Sequence, residues 1–408
     1  MKVTFAFSND VASANLDRDL KGNCTNDTAA VGNESKTITR TFDAFSRLNG
    51  IDDTIYDYNA DGLLASISNM IAVVDYAYTQ DRLDAGYSLT LSNGVVFSRS
   101  LLHDVYRRSL VTDISSVANG VGVGSLAYTY DALNRPTARN NDTFGYNARS
   151  EVTAANVSGV PAAYGYDEIG NSTNWTANCL NHDADGNMTQ CGDWAYTYDA
   201  ANRLKTVSSN GVLLVTNFYD AKSRRVKKVS PEATITFFYD GWNLIEERIA
   251  STNGISSTIH YYWGKDLSGT LQGAGGVGGL LYLTIDGVPF VPSYDNIGNI
   301  TRYLDANGNT VAQYTYDAFG NTLSQSGTMC GVFRHRFSTK HFDAETGFYY
   351  YGYRFYFPPL TRWLNRDPIE EEGGVNLYGF CQNSMPYKVD FLGKIECCNC
   401  VYSGNLHT

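Results

Sequence analysis

Charge is scarce in this 408-residue chain. Asp, Glu, Lys and Arg make up 18% of it, below the roughly 25% of ordinary soluble domains. Proline is scarcer still, at 9 residues against 38 glycines. No stretch approaches the roughly 18 consecutive apolar residues of a membrane helix, so no membrane span is expected. The 31 Lys and Arg are outnumbered by 42 Asp and Glu, for a net charge of -11. That balance argues against a nucleic-acid partner, because phosphate binding draws on a basic surface. After Met1-Lys2 only residues 3–7 are apolar, too short a run for a secretion signal. Cytoplasmic residence, a signal-free export route and a piece of a longer chain all stay open.

Catalytic motifs are also missing. There is no HExxH, no Walker loop and no GxSxG. Residues 273–278 do spell GxGxxG. The dinucleotide fingerprint needs a helix after the glycines, and residues 280–285 read as another strand, so no nucleotide cofactor is expected. The 8 cysteines are scattered, unlike those of a small disulfide scaffold. Cys179 and Cys191 could pair across a hairpin. The cluster of Cys397, Cys398 and Cys400 with His407 lacks the paired CxxC spacing of structural zinc sites. It reads as a frayed tail with reduced thiols, and no metal is assigned.

What is abundant is tyrosine, 30 residues, together with glycine. With Thr and Val, this favours strands and turns over helices. From Tyr56 onward a unit recurs: aromatic-x-Tyr-Asp, a few small residues, Arg or Asn, then a short apolar strand. Clear copies are Tyr128-Thr129-Tyr130-Asp131 with Asn134-Arg135, and Tyr196-Thr197-Tyr198-Asp199 with Asn202-Arg203. Tyr294-Asp295 has Gly298-Asn299, and Tyr314-Thr315-Tyr316-Asp317 has Gly320-Asn321. His182-Asp183 is a degenerate copy. Trp194, Tyr196 and Tyr198 fall at period two and line one sheet face. Asp199 opens a turn by accepting a backbone N–H two residues on. Asn202, or Gly in other copies, tolerates the positive φ the hairpin needs. One hairpin cannot bury its aromatic face, whereas stacked hairpins can. The Tyr residues are therefore expected on a sheet face that is only partly dry. Residues 36–42 read as a strand, residues 224–228 as a basic, solvated edge strand, and residues 365–372 and the segment near Met385 as short helical turns.

The C-terminal stretch departs from the repeat. It holds Phe342-Asp343-Ala344-Glu345-Thr346-Gly347, then Tyr349-Tyr350-Tyr351-Gly352-Tyr353-Arg354, Arg362-Trp363-Leu364, Arg366-Asp367-Pro368-Ile369 and Asn376-Leu377-Tyr378-Gly379-Phe380, with Asn383 and Pro386. In that order these pieces resemble the RHS repeat-associated core of RHS/YD-repeat proteins, similar to the shell region of polymorphic toxins and Tc toxin C components. The resemblance implies an all-β fold in which YD-repeat hairpins form a continuous spiralling sheet, a partial or complete hollow shell, with a C-terminal core plug. The glycine-rich run from Leu271-Gln272-Gly273 onward is similar to one in the family, where it marks a tight crossing of the wall.

The expected organisation is a weakly patterned segment over residues 1–50, a YD-repeat shell over 51–333, the core over 334–393 and a short tail over 394–408. The implied function is structural: a shell that encapsulates or presents a C-terminal effector in a polymorphic-toxin or secretion setting, with the cargo itself expected to be absent here, since only the short tail follows the core. Its partners would be the effector or tail inside the shell and a secretion-apparatus or cell-surface component. The protein would be cytoplasmic before export, then secreted or cell-surface associated.

The resemblance also implies an aspartyl autoprotease. Asp367 and Asp390 would be its carboxylates and Arg366 would hold or orient Asp367, with the cut after Lys394. Two carboxylates held together cannot both ionise easily, so one serves as acid while the other activates water. The chain departs from the family at Glu370, where Gly is usual, at Phe391, where Pro is usual, and at Lys394, where an apolar residue is usual. Asp367 capping a turn and Asp390 bonding locally is the competing reading. A third is an extracellular carbohydrate- or surface-binding β protein.

Overall fold

Most repeat turns are built around one carboxylate. Asp131 Oδ1 accepts the N–H of Leu133 at 2.9 Å and of Arg135 at 3.0 Å, and Oδ2 accepts Arg135 Nε at 2.7 Å. Asp199 does the same with Ala201 and Arg203. The fourth residue of these turns is left-handed: Asn134 has φ 63° and Asn202 φ 58°, a region that Asn tolerates. Beside the turn the ladder slips, between Thr129 and Tyr130, Thr197 and Tyr198, and Thr315 and Tyr316. Such bulges bend and twist the strand.

Successive units are fastened by two further contacts. The turn arginine reaches forward: Arg135 Nη1 donates to Asn147 O at 3.2 Å and lies over the Tyr146 ring, while Arg203 Nη1 donates to Asp220 O at 2.9 Å over Tyr219. Arg224 likewise donates to Gly241 O over Tyr239. The next tyrosine reaches back: Tyr146, Tyr219 and Tyr239 hydroxyls donate to the carbonyls of Pro136, Leu204 and Arg225. The polar tips thus face main chain, and the aromatic face is drier than expected; Tyr294, Tyr303 and Tyr314 are buried.

The structure, a computed structural model, describes residues 13–174 and 181–394. Two long antiparallel meanders dominate it, one of 15 strands from Ser13–Arg18 to Val160–Ala163 and one of 14 from Asn181–His182 to Thr322–Ser326. Within each of these sheets every strand pairs with its sequence neighbours. Among the described residues the only helices are short 3-10 turns, including Glu370–Gly373 and Cys381–Asn383, where short helical turns are expected. The strand Glu34–Phe42 contains the expected residues 36–42. Residues 13–51 join the first sheet. Cys191 is disulfide-bonded; Cys179 and the cysteines of the tail lie outside the described residues.

A small sheet of 4 strands, His341–Asp343, Phe348–Tyr350, Phe355–Phe357 and Arg362–Trp363, forms the core. Its aromatics are wrapped by the larger sheets: Phe348 meets Trp194 and Tyr196, and Tyr356 Oη donates to Phe319 O at 2.7 Å. The basic strand is not the solvated edge the sequence predicts. Arg225–Val229 pairs on both sides, and Arg225 and Lys228 are fully buried. Their charges are answered by Asp343 of the core sheet, with Lys228 also on Glu345.

Four turns ending in Gly-Asn meet the core. Asn383 Nδ2 donates to Gly170 O, Tyr378 Oη to Gly186 O, Thr339 Oγ1 to Gly298 O, and Asn321 Nδ2 to Pro358 O. A Cβ on Gly320 would lie 2.7 Å from the Phe337 ring. A fifth such turn, at Asp305, brings Gly308 against Ala118 of the other sheet.

Candidate functional site

The site grows from Arg354, the one charged residue within the aromatic run of residues 348–357. Fully buried, it lies over the Trp363 ring with its cation 4.2 Å from the centroid. Its Nη2 stands 2.7 Å from Asp367 Oδ2 and 3.6 Å from Asp390 Oδ2. Its Nε donates to Gly393 O at 2.5 Å. One guanidinium therefore joins both sequence-predicted carboxylates to the backbone that follows Asp390.

Asp367 also caps its own turn, accepting the Ile369 N–H at 3.1 Å. Asp390 gathers the next residues: its Oδ1 accepts N–H groups of Leu392, Gly393 and Lys394 at 3.1, 2.6 and 3.2 Å. The local bonding of the competing reading is thus present together with the convergence on Arg354. Asp390 Oδ2 accepts no hydrogen bond among the described residues. Burial pushes the Asp390 carboxyl up to about 6, against the pull of Arg354. A carboxyl so placed holds its proton to higher pH than its exposed counterparts.

Lys340, also buried, donates to Phe391 O at 2.5 Å and Gly275 O at 2.9 Å. Burial brings its ammonium down to about 8. The glycine-rich run passes here: a Cβ on Gly275 would lie 2.5 Å from Phe391 O. The run folds as turns with strand Leu280–Ile285 after it, which removes the dinucleotide fingerprint.

Arg366 does not take the place the sequence suggests. It is exposed and lies against the Gly186 turn, where a Cβ on Gly186 would meet its Nε. The cation on Asp367 is Arg354, which the sequence marked only as part of a motif; an Arg isolated among aromatics was the available signal. The three departures are also placed. Glu370 adopts φ 53°, the left-handed region that suits the usual Gly. Phe391 buries its ring in the main core cluster. Lys394 lies over Tyr353, 3.6 Å from the ring centre. Among the described residues no three His, Cys, Asp or Glu converge as metal ligands.

Comparison with known proteins agrees with this architecture. Residues 72–386 match the family model described as Teneurin YD-shell. The chain is 30% identical over 220 residues to the tRNA nuclease WapA of Bacillus subtilis (strain 168), covering 52% of this chain and 9% of WapA. It is 36% identical over 96 residues to toxin subunit YenC1 of Yersinia entomophaga, covering 22% of this chain and 10% of YenC1. The crystal structure of TcdB2-TccC3-Cdc42 superposes with a TM-score of 0.73 at 16% identity, over 94% of this chain and 24% of that one. The chain thus spans a small part of these relatives' length, and the last likeness shows the fold alone.

Proposed function

This chain belongs to the Teneurin YD-shell family, and we propose that it serves as the wall and inner core of a shell that holds the segment following Gly393 as cargo. The observation that carries this reading is the sealed path of the chain just before that point. Residues 390–393 run between Arg354, Lys340 and the Gly275 turn, inside a core wrapped by both large sheets. The resemblance to toxin-type proteins supports a toxin component as the cargo or partner and a secreted or cell-surface setting. A folded reporter fused after residue 394 tests it. Protection from protease compared with the free reporter is expected; digestion at the free reporter's rate would discard the encapsulating role.

The Arg354-centred carboxylates favour a second activity, a single self-cleavage after Lys394. Asp390, held protonated to higher pH, would act as acid and Asp367 as the base that activates water. Intact mass of the purified chain and of Asp367→Asn and Asp390→Asn separates the cases. A product ending at Lys394 only in the unsubstituted chain supports cleavage. One full-length species in all three rejects it and leaves the shell role standing.

A further inference from the structure

Residues 392–394 lie along residues 352–354 of the core. The Tyr353 N–H donates to Leu392 O at 3.0 Å, and Arg354 Nε donates to Gly393 O at 2.5 Å. A Cβ on Gly393 would lie 3.0 Å from Arg354 N, so the two backbones there leave no room for a side chain. The next side chain is that of Lys394, and its Nζ stands 3.6 Å from the centre of the Tyr353 ring. Trp242 backs that ring, 4.7 Å away between centroids and tilted by 49°.

The two rings come from different parts of the molecule. Tyr353 belongs to the turn between the core strands Phe348–Tyr350 and Phe355–Phe357. Trp242 belongs to the hairpin between Ala233–Asp240 and Asn243–Ser251 of the second large sheet. Gln272 fixes that hairpin: its Oε1 accepts the Trp242 N–H at 3.2 Å and its Nε2 donates to Asp240 O at 3.0 Å. Gly352 leaves the indole room, since a Cβ there would meet it at 3.1 Å. Trp242, Tyr353 and Lys394 are all half-buried. Among the described residues no carboxylate pairs with the Lys394 ammonium, and the ring face answers its charge.

A ring face attracts a cation and packs against an aliphatic stem. It repels an anion, because the face itself is negative. We propose that Tyr353, backed by Trp242, is the subsite that selects the residue before the cut, taking a long cationic or apolar side chain at position 394 and refusing an acidic one. Lys394 then does the work of the apolar residue usual there. The proposal rests on the cleavage reading above. In that step water adds to the Lys394 carbonyl carbon and the bond to the nitrogen of residue 395 breaks. A carboxylate is left on Lys394, and the nitrogen leaves with a proton as an amine. The two rings are positioning groups, which hold the side chain beside the reacting carbonyl.

Cell-free synthesis of the full chain, with the uncut fraction followed over time by intact mass, tests this. Lys394→Leu should be slowed no more than about threefold, and Lys394→Glu about tenfold or more. Tyr353→Leu should slow cutting about tenfold, Tyr353→Phe should recover most of that loss, and Lys394→Glu added to Tyr353→Leu should cost little more. Cutting that ignores the charge at residue 394, or that runs at full rate in Tyr353→Leu, overturns the subsite and leaves cleavage standing. So does cutting seen only in Lys394→Leu. Uncut chain in every version rejects cleavage itself, and the subsite with it. If Tyr353→Leu does not fold, the order of rates for Lys, Leu and Glu at position 394 decides.

Discussion

Arg225, in a strand of the second large sheet, donates through Nη1 to Asp343 of the core sheet, 118 residues further on. Lys228 Nζ reaches the other oxygen of the same carboxylate at 3.0 Å. Three buried charges thus pin wall to core. Burial alone would raise the Asp343 pKa, but Arg225 and Lys228 hold it well below the usual carboxylate range. Asp343→Asn should cost about 3–5 kcal/mol, because it leaves buried Arg225 without its carboxylate and Lys228 with Glu345 alone. Replacing the ionic groups together with apolar ones should recover part of that loss. Denaturant unfolding of the single and combined variants measures both.

The pH dependence of that variant carries its own sign. A carboxylate depressed in the folded state adds stability above its unfolded pKa, near 4, and loses it as pH falls through the folded value. The unsubstituted chain should therefore lose stability on acidification, and Asp343→Asn should show a flatter acid limb in melting curves.

Asp390 should behave oppositely. Its folded pKa is raised to about 6, so between that value and the unfolded one, near 4, the folded chain binds more protons. Stability from this group falls as pH rises through the interval, by an amount on the order of 3 kcal/mol. Asp390→Asn should remove this component. Melting temperatures across pH 4–7 for the two chains check it; parallel curves would contradict the raised value.

Substitution can distinguish the two arginines near Asp367. Arg354→Leu, which removes the cation shared by both buried carboxylates, should cost about 3–5 kcal/mol. Arg366→Leu, at an exposed position, should stay within about 0.5 kcal/mol. Equal losses would mean that the two cations share the work.

The units' backward contact can be measured at Tyr316, whose buried hydroxyl donates to Ile300 O at 2.9 Å. Tyr316→Phe should cost about 1 kcal/mol. Gly298→Ala should cost about 2 kcal/mol or more, because φ is 78° and a Cβ would sit 2.8 Å from Gly278 N. Both follow from thermal unfolding.

The repeat was legible because its signals are local: Asp199, Asn202 and Arg203 lie within one turn, and Trp194, Tyr196 and Tyr198 within one strand. The carboxylates of the site were legible only through their motifs. Arg354 was not, since its role appears only when the turn before the core strand Phe355–Phe357 meets two later loops. Arg225 and Lys228 misled for a related reason. A basic strand reads as solvated unless the acidic residue that answers it, Asp343, is known to fold against it.

Two spellings recur among the turns, and they differ in what they offer a neighbour. Asn-Arg supplies an arm that grips the neighbouring turn, as Arg135 and Arg203 do. Gly-Asn has no arginine, but its bare Cα leaves a doorway, as Gly320 does for Phe337. Changing Gly320-Asn321 to the other spelling would bar entry to the core while leaving the wall's own hydrogen bonds in place. At Gly170, Gly186, Gly298 and Gly320 the bare Cα is thus a doorway for the interior piece, whereas the same two letters at Gly22 and Gly308 open onto solvent or the other wall.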